Sequence, residues 1–166
     1  MADNQTQQNT QTQQNIDIQR IYIKDLSLET PGAPDVFLQQ EQWEPQTNID
    51  LNIQHKQLKD NHYEVVLRIT VTITNKEQAV LVTEVKQAAI FNITGFNAEQ
   101  LDHVLGAYCP SLLFPYAREA ISSMSIRATM PPINLAPLNF DAIYQQQKAN
   151  AANNQSEAKA NSQTTH

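Results

Sequence analysis

The sequence predicts an α+β fold in which a four-stranded antiparallel sheet is followed by helices that pack on one face. Residues 16–93 contain several runs in which apolar and polar side chains alternate, as they do along strands. Helical spacing of apolar residues begins only after Phe96. Because the strands come first and the helices follow, we predict an α+β fold rather than a doubly wound parallel one.

Polar segments enclose the part of the chain that is expected to fold. Residues 1–15 are almost all Gln, Asn, Thr and Asp, and residues 145–166 are rich in Gln, Asn, Ala and Ser. Such segments bury too little apolar area to offset their ordering entropy. We therefore expect two disordered tails around a single domain of residues 16–144. Its core would be thin, and assembly with other copies would enlarge it.

Charge and composition exclude several classes of function. The net charge is −6 and the pI is about 5.1, which disfavours binding to nucleic acid or to an anionic membrane. No apolar run is long enough for a signal peptide or a membrane span, so we expect a cytoplasmic protein without membrane insertion. One cysteine excludes an internal disulfide, and the 4 histidines lack metal-ligand spacing.

The first predicted strand covers residues 16–29. Ile21 and Ile23 are out of phase with its other apolar residues, so the strand is expected to be apolar on both faces near its middle. This pattern fits a central strand, or an edge strand whose second face is covered by another subunit. Asp25 and Glu29 point away from the core side. They form either a solvated face or a docking patch for a basic partner.

A long loop is predicted for residues 30–48, where prolines disfavour both helix and strand. Loops longer than about 12 residues are uncommon in compact domains and tend to be functional. This loop carries Phe37 and the only tryptophan, Trp43. Their rings either close the edge of the core or border an apolar groove that is open to ligands.

Three more strands complete the predicted sheet, as a meander or a Greek key. Residues 49–53 alternate briefly, and residues 63–74 give the clearest alternation in the chain. The turn at 75–78 lacks glycine, which favours a four-residue type I turn. Residues 79–93 are apolar on both parities, with Glu84 as an interruption. We expect helices to cover one face of the sheet and another molecule to cover the other face.

Helices follow the sheet. Asn97 and Gln100 have the spacing of a capping box, which predicts a helix start. Pro110 is expected to stop this helix, and Pro115 to begin a second one. A third, short helix is predicted to begin at Asn139.

Phe140 and Tyr144 share one face of this third helix. That face either packs on the domain or borders a groove.

No catalytic site can be assembled from the sequence. Cys109 and His103 would lie on different sides of one helix, without an orienting acid. Phosphate-binding loops and paired carboxylates are also absent from the sequence. A binding protein without a cofactor is therefore expected, not an enzyme. The alternatives are a small-ligand-binding or enzymatic protein that uses a pocket under the Trp43 loop, and a structural subunit.

Two long motifs resemble the bacterial protein-export chaperone SecB. They are LGAYCPSLLFPYARE at residues 105–119 and NLAPLNFDA at residues 134–142. IQRIY at 18–22 and YEVVLR at 63–68 stand in the order of that family. The resemblance covers residues 16–144, which is the whole predicted domain.

This resemblance implies a homotetramer, a dimer of dimers, in which long helices lie between eight-stranded sheets. Members hold unfolded secretory precursors in apolar grooves without ATP and pass them to the motor protein SecA. The implied contacts with the zinc-carrying C-terminal tail of SecA fall on Asp25, Glu29, Val82 and Glu84, and the zinc belongs to that partner. Val82 replaces a residue that is commonly Leu.

The resemblance also implies positions for the groove and for the oligomer interface. The groove residues carried over are Phe37, Trp43, Phe140 and Tyr144. Tyr108 and Cys109 fall in the helix that is expected to lie between the sheets. The loop before Trp43 is about two residues longer than is usual in the family, which would alter the groove nearby.

Overall fold

A computed structural model gives the structure of residues 13–38 and 43–162, without the side chains of residues 153–162. Four long strands form one sheet: β1 (Asn15–Glu29), β2 (Pro45–Lys59), β3 (His62–Asn75) and β4 (Gln78–Thr94). Their order across the sheet is β1, β4, β3, β2, and all neighbouring pairs are antiparallel. This order is a Greek key, because β1 lies beside β4 and not beside β2. The predicted fold class is confirmed.

β1 is an edge strand of the described sheet, and two bulges explain its irregular sequence pattern. The register between β1 and β4 shifts at Gln19 and again at Lys24. Each bulge adds one residue and so reverses the parity of the residues that follow. Ile21 and Ile23 therefore face the same side as Leu26, and the prediction of a strand that is apolar on both faces was wrong.

The β3–β4 hairpin differs from its predicted turn. β3 ends at Asn75 and β4 begins at Gln78, which leaves only Lys76 and Glu77 in the loop. Both loop residues have positive φ, 48° and 67°. This is the geometry of a primed two-residue turn, whose twist matches that of the flanking strands. The absence of glycine favours a four-residue turn. The twist of the flanking strands instead imposes the two-residue turn, although neither of its residues is glycine.

One continuous helical segment follows the sheet. It comprises α1 (Ala98–His103), a π-helical turn (Val104–Tyr108) and α2 (Cys109–Arg127). Its start is as predicted: the Asn97 side chain accepts a hydrogen bond from the Gln100 N–H at 2.9 Å, and Gln100 Oε1 accepts one from the Asn97 N–H.

The predicted break between Pro110 and Pro115 was wrong, because both prolines lie within α2. A proline in a helix crowds the carbonyl four residues earlier and donates no hydrogen bond. Here the Cys109 N–H bonds to the Val104 carbonyl, five residues earlier. This wider turn directly precedes Pro110 and makes room for its ring.

The last helix, α3, runs from Phe140 to Ser162. Its predicted cap is confirmed, since Asn139 Oδ1 accepts the Ala142 N–H at 3.0 Å. Residues 145–162 are helical, which corrects the prediction of a disordered tail there; their Ala and Gln residues favour helix. Most of the predicted N-terminal tail, residues 1–12, lies outside the described residues. Within the part of the chain described, no helix has the length and apolarity to cross a membrane.

The core lies between one face of the sheet and the helices. α2 packs against β3 and β4, and we call the sheet face that it covers the inner face. The alternating apolar residues of β3 are buried there, as predicted: Val65, Leu67, Ile69, Val71 and Ile73. The opposite, outer face of the sheet has no helix of the described chain packed on it.

Candidate functional site

The structure brings together the four residues that were predicted to bind a basic partner. Glu29 is the cross-strand neighbour of Val82, and Asp25 is that of Lys86. Glu84 lies between Val82 and Lys86 on the same side of β4. Side chains of directly paired residues share one face of a sheet. Asp25, Glu29, Val82 and Glu84 therefore form one surface on the outer face, which we call the acidic patch.

A lysine lies within this patch. Lys86 Nζ is 2.9 Å from Asp25 Oδ2 and 3.6 Å from Glu84 Oε1. Its hydrogen bond lowers the pKa of Asp25, and the same bond raises the pKa of Lys86. The Thr70 hydroxyl donates to the other oxygen of Glu84 at 2.8 Å. Sequence reasoning missed Lys86, although its position two residues after Glu84 places it on the same face.

The other end of the outer face is held by a buried carboxylate. Glu64 on β3 accepts hydrogen bonds from Lys24 Nζ, at 2.8 and 2.9 Å, and from the Tyr22 hydroxyl. Lys56 Nζ lies 3.3 Å away. Burial acts to raise the pKa of Glu64, but these partners outweigh it and lower the pKa to about 2. Three strands thus converge on one ionised carboxylate, which the sequence did not predict.

The loop after β1 presents two exposed aromatic rings. Phe37 and Trp43 are 50% and 44% exposed, although both are large apolar residues. The loop is fixed on either side of residues 39–42: Val36 packs on a small apolar cluster, and the Glu44 N–H donates to Asn75 Oδ1 at 3.0 Å. These rings are therefore held at the surface by an anchored loop, as a groove border requires.

Phe140 and Tyr144 have a different environment. They are 4% and 7% exposed and belong to the core of the same chain. The Phe140 ring packs edge-on against Phe114, with 5.7 Å between the ring centroids. The structure therefore does not join the four predicted groove residues into one open surface: Phe37 and Trp43 lie beside the β3–β4 hairpin, and Tyr144 lies beside α1, beyond the other end of β4.

Tyr144 fastens α3 to the first helical segment. Its hydroxyl donates to Asp102 Oδ2 at 2.6 Å, and Lys148 Nζ lies 3.0 Å from the same oxygen. The hydrogen bonds from Tyr144 and Lys148 lower the pKa of Asp102. His103 Nε2 lies 2.7 Å from Asp141 Oδ1, which gives a second polar link between the same elements.

The two predicted interface residues point to different places. Tyr108 is 46% exposed, whereas the side chain of Cys109 is wholly buried in the core. Burial raises the pKa of the Cys109 thiol to about 12, so the thiol stays protonated and unreactive. Tyr116 is also half exposed and follows Tyr108 by eight residues, which places the two rings about 80° apart around the helix axis. Tyr116 was not among the predicted interface residues.

The cleft under the loop has few ionisable side chains. A cleft of about 520 Å³ under the loop is lined by residues 31–33, 35–36, 75 and 78–80, among which only Asp35 can ionise. A second cleft, of about 550 Å³, lies between α2 and the segment that precedes α3. Within the described residues, no group of three or more His, Cys, Asp or Glu side chains is placed to hold a metal ion.

Comparison with known proteins gives consistent matches. A family model described as preprotein translocase subunit SecB matches residues 8–151. The protein-export protein SecB of Legionella pneumophila is 56% identical over 144 residues, 87% of this chain and 86% of that protein. The protein of the same name from Marinobacter nauticus is 50% identical over 148 residues, 88% of each chain.

A solved structure shares the fold. It is a SecB-like chaperone of Mycobacterium tuberculosis in complex with a ChAD peptide from an antitoxin. The TM-score is 0.61 at 19% sequence identity, and the match covers 74% of this chain and 90% of that chain. At this identity the likeness concerns the fold alone.

Proposed function

This chain belongs to the SecB family of protein-export chaperones, and on that premise we propose how it carries out its work. It holds unfolded secretory precursors in the cytoplasm without ATP and delivers them to SecA. The observation that carries the holding step is the exposure of Phe37 and Trp43 on an anchored loop. Exposed apolar surface of this kind marks a site for another molecule.

Apolar surface that the single chain leaves open supports assembly into a dimer of dimers. Tyr108, Tyr116 and Ile126 are exposed along the helical segment. Ile18 and Ile23 on β1 are also exposed, next to an unpaired strand edge. An edge strand invites pairing with a second copy, and large apolar side chains favour burial between subunits.

Holding an unfolded chain requires no catalytic group. Such a chain offers apolar side chains, which the exposed rings of the loop can cover with little demand on sequence. A protein that folds fast hides these segments before it is captured, so selection among clients is kinetic. Four copies of the loop in a tetramer would raise the effective concentration for the second contact, and several weak sites would then give a tight hold.

The acidic patch supplies the delivery contact. Asp25, Glu29 and Glu84 face outward, away from the helices. They would receive the basic, zinc-carrying tail of SecA, with the apolar side chain of Val82 between them. Charge pairing across such a surface speeds encounter and fixes the register of the two partners.

A pair of alanine variants tests the holding step. Trp43→Ala should weaken binding of a denatured protein by about tenfold, as expected for a large aromatic anchor. Leu58→Ala is the matched control, because Leu58 is equally exposed but lies at the far end of β2. It should change the affinity by less than about twofold. Equal losses for both variants, or none for either, would remove the loop from the client site.

A further inference from the structure

We propose that Lys86 is a resident cation that occupies the acidic patch in the free chaperone and must be displaced when a basic partner docks. The inference rests on the proposed delivery contact and adds a specificity rule to it. A partner must present at least two clustered cations, because the first one only replaces the lysine that is already there.

The geometry of the patch supports this role. Lys86 Nζ lies between Asp25 and Glu84, at 2.9 and 3.6 Å from their carboxylate oxygens. It therefore takes the position from which an incoming ammonium or guanidinium group would contact both acids. A flexible four-carbon stem carries the charge, so it can swing aside without a movement of the backbone.

The contact is accessible to water and is therefore open to exchange. The side chains of Lys86 and Asp25 are 37% and 54% exposed. Ion pairs at this level of exposure are weak, since water and salt screen them. A partner with several cations can thus replace the intramolecular pair at little cost.

The acids keep their arrangement when the lysine leaves. Thr70 donates a hydrogen bond to Glu84 Oε2, whereas Lys86 approaches the other oxygen, Oε1. The backbone of Asp25 is held by the pairing of β1 with β4. Because the hydrogen bond to Glu84 and the backbone of Asp25 do not depend on Lys86, the lysine acts as a competitor for the patch and not as its scaffold.

The net charge of the acidic patch determines how many cations a partner must present. Asp25, Glu29 and Glu84 carry three negative charges and Lys86 one positive charge, so the net charge is 1 − 3 = −2. A singly charged segment exchanges one cation for another and gains little. A short peptide with two or more adjacent Lys or Arg residues can replace Lys86 and also reach Glu29, which Lys86 does not contact.

The test uses the full chain and a synthetic peptide that carries four Lys or Arg residues. Lys86→Gln should bind this peptide about two- to fivefold more tightly than the wild type at about 0.03 M salt. The gain should shrink at about 0.5 M salt, where screening is stronger. Lys86→Arg keeps the cation and should bind as the wild type does. Lys59→Gln changes the net charge equally on the far edge strand and should leave the affinity within about 1.5-fold.

The outcomes separate the inference from the function on which it rests. Equal or weaker binding by Lys86→Gln, with the wild type binding normally, would overturn the resident-cation role and leave the delivery contact intact. The same gain in Lys59→Gln would also overturn it, because the effect would then be one of net charge. Absence of peptide binding by every variant would overturn the delivery contact itself and the inference with it. Thermal unfolding of each variant confirms that the fold is retained.

Discussion

The ring of Tyr144 lies against the backbone of Gly106: a β-carbon on Gly106 would come within 2.5 Å of Tyr144 Cδ2. Gly106 is part of the π-helical turn, so the turn leaves a bare stretch of backbone on which the ring packs. The same ring places its hydroxyl on Asp102. The docking of α3 on the domain therefore depends on the absence of a side chain at one position.

Gly106→Ala should displace the Tyr144 ring and weaken the docking of α3. A small-to-large change in a packed site costs about 1–3 kcal/mol of unfolding free energy. Gly32→Ala is the matched control, because a β-carbon there meets its nearest neighbour at 3.4 Å, an ordinary contact distance. Denaturant unfolding of both variants measures the difference. Equal stabilities would mean that the ring is not tightly packed on Gly106.

Glu64 should make the stability of the protein depend on pH in acid. Its folded-state pKa of about 2 lies below the ordinary value of 4.5. The stabilisation is therefore complete above pH 4.5 and is lost as the pH falls towards 2. We expect a loss on the order of 1–2 kcal/mol, because its lysine partners are partly exposed.

Glu64→Gln should be less stable than the wild type at pH 7 and should lose less stability between pH 4.5 and pH 2. Unfolding free energies at several pH values measure both quantities. Asp50→Asn is the control, since Asp50 pairs with Arg68 on the same face but is exposed. If the wild type and Glu64→Gln follow parallel pH curves, the carboxylate does not carry this effect.

Charged substitutions at the two adjacent helix residues should have different effects. Tyr108→Glu places a charge on an exposed position and should lower the mass of the assembly while the helicity is kept. Cys109→Asp buries a charge in the core and should unfold the chain. Sedimentation and circular dichroism together separate the two outcomes. If the assembly formed by the Tyr108→Glu variant has the same mass as that of the wild type, this side of the helix is not part of the interface.

The acidic patch gives a prediction about salt. Glu84→Lys should weaken binding to the tail of SecA strongly at low salt and less at high salt, because screening shortens the reach of surface charges. The fold should lose no more than about 1 kcal/mol. Asp17→Lys makes the same charge change on the outer face at the other end of β1, opposite Asn92, and should have a much smaller effect. Similar losses in both variants would point to overall charge and not to the patch.

Alternation alone located most of the sheet but not its irregularities. β3 was clear because each of its inner positions is apolar. Side-chain parity placed Asp25 and Glu29 on one face, and the family resemblance added Val82 and Glu84 to them. The bulges at Gln19 and Lys24 depend on pairing with β4, which is distant in sequence. The continuous helix through Pro110 could not be predicted either. Its π-helical turn arises from tertiary packing, which local helix propensity does not include.

The sequence could name candidate site residues but could not give their exposure. Trp43 and Tyr144 are both aromatic residues near polar segments, and only the packed structure separates an exposed ring from a buried one. Tyr144→Ala should therefore destabilise the domain by about 3–5 kcal/mol, as for other large core truncations. Lys86 was missed for another reason: alternation places it on the face of Glu84, but its contact with Asp25 depends on the pairing of β1 with β4.

The central claim, that this protein holds unfolded chains, is tested most directly by a refolding measurement. A slow-folding, unrelated protein is diluted from denaturant with and without one tetramer equivalent of the purified chaperone, in the absence of ATP. The account predicts a clear slowing of the return of native activity, with no effect on the same protein added in its native state. An unchanged refolding rate at saturating chaperone would contradict the account.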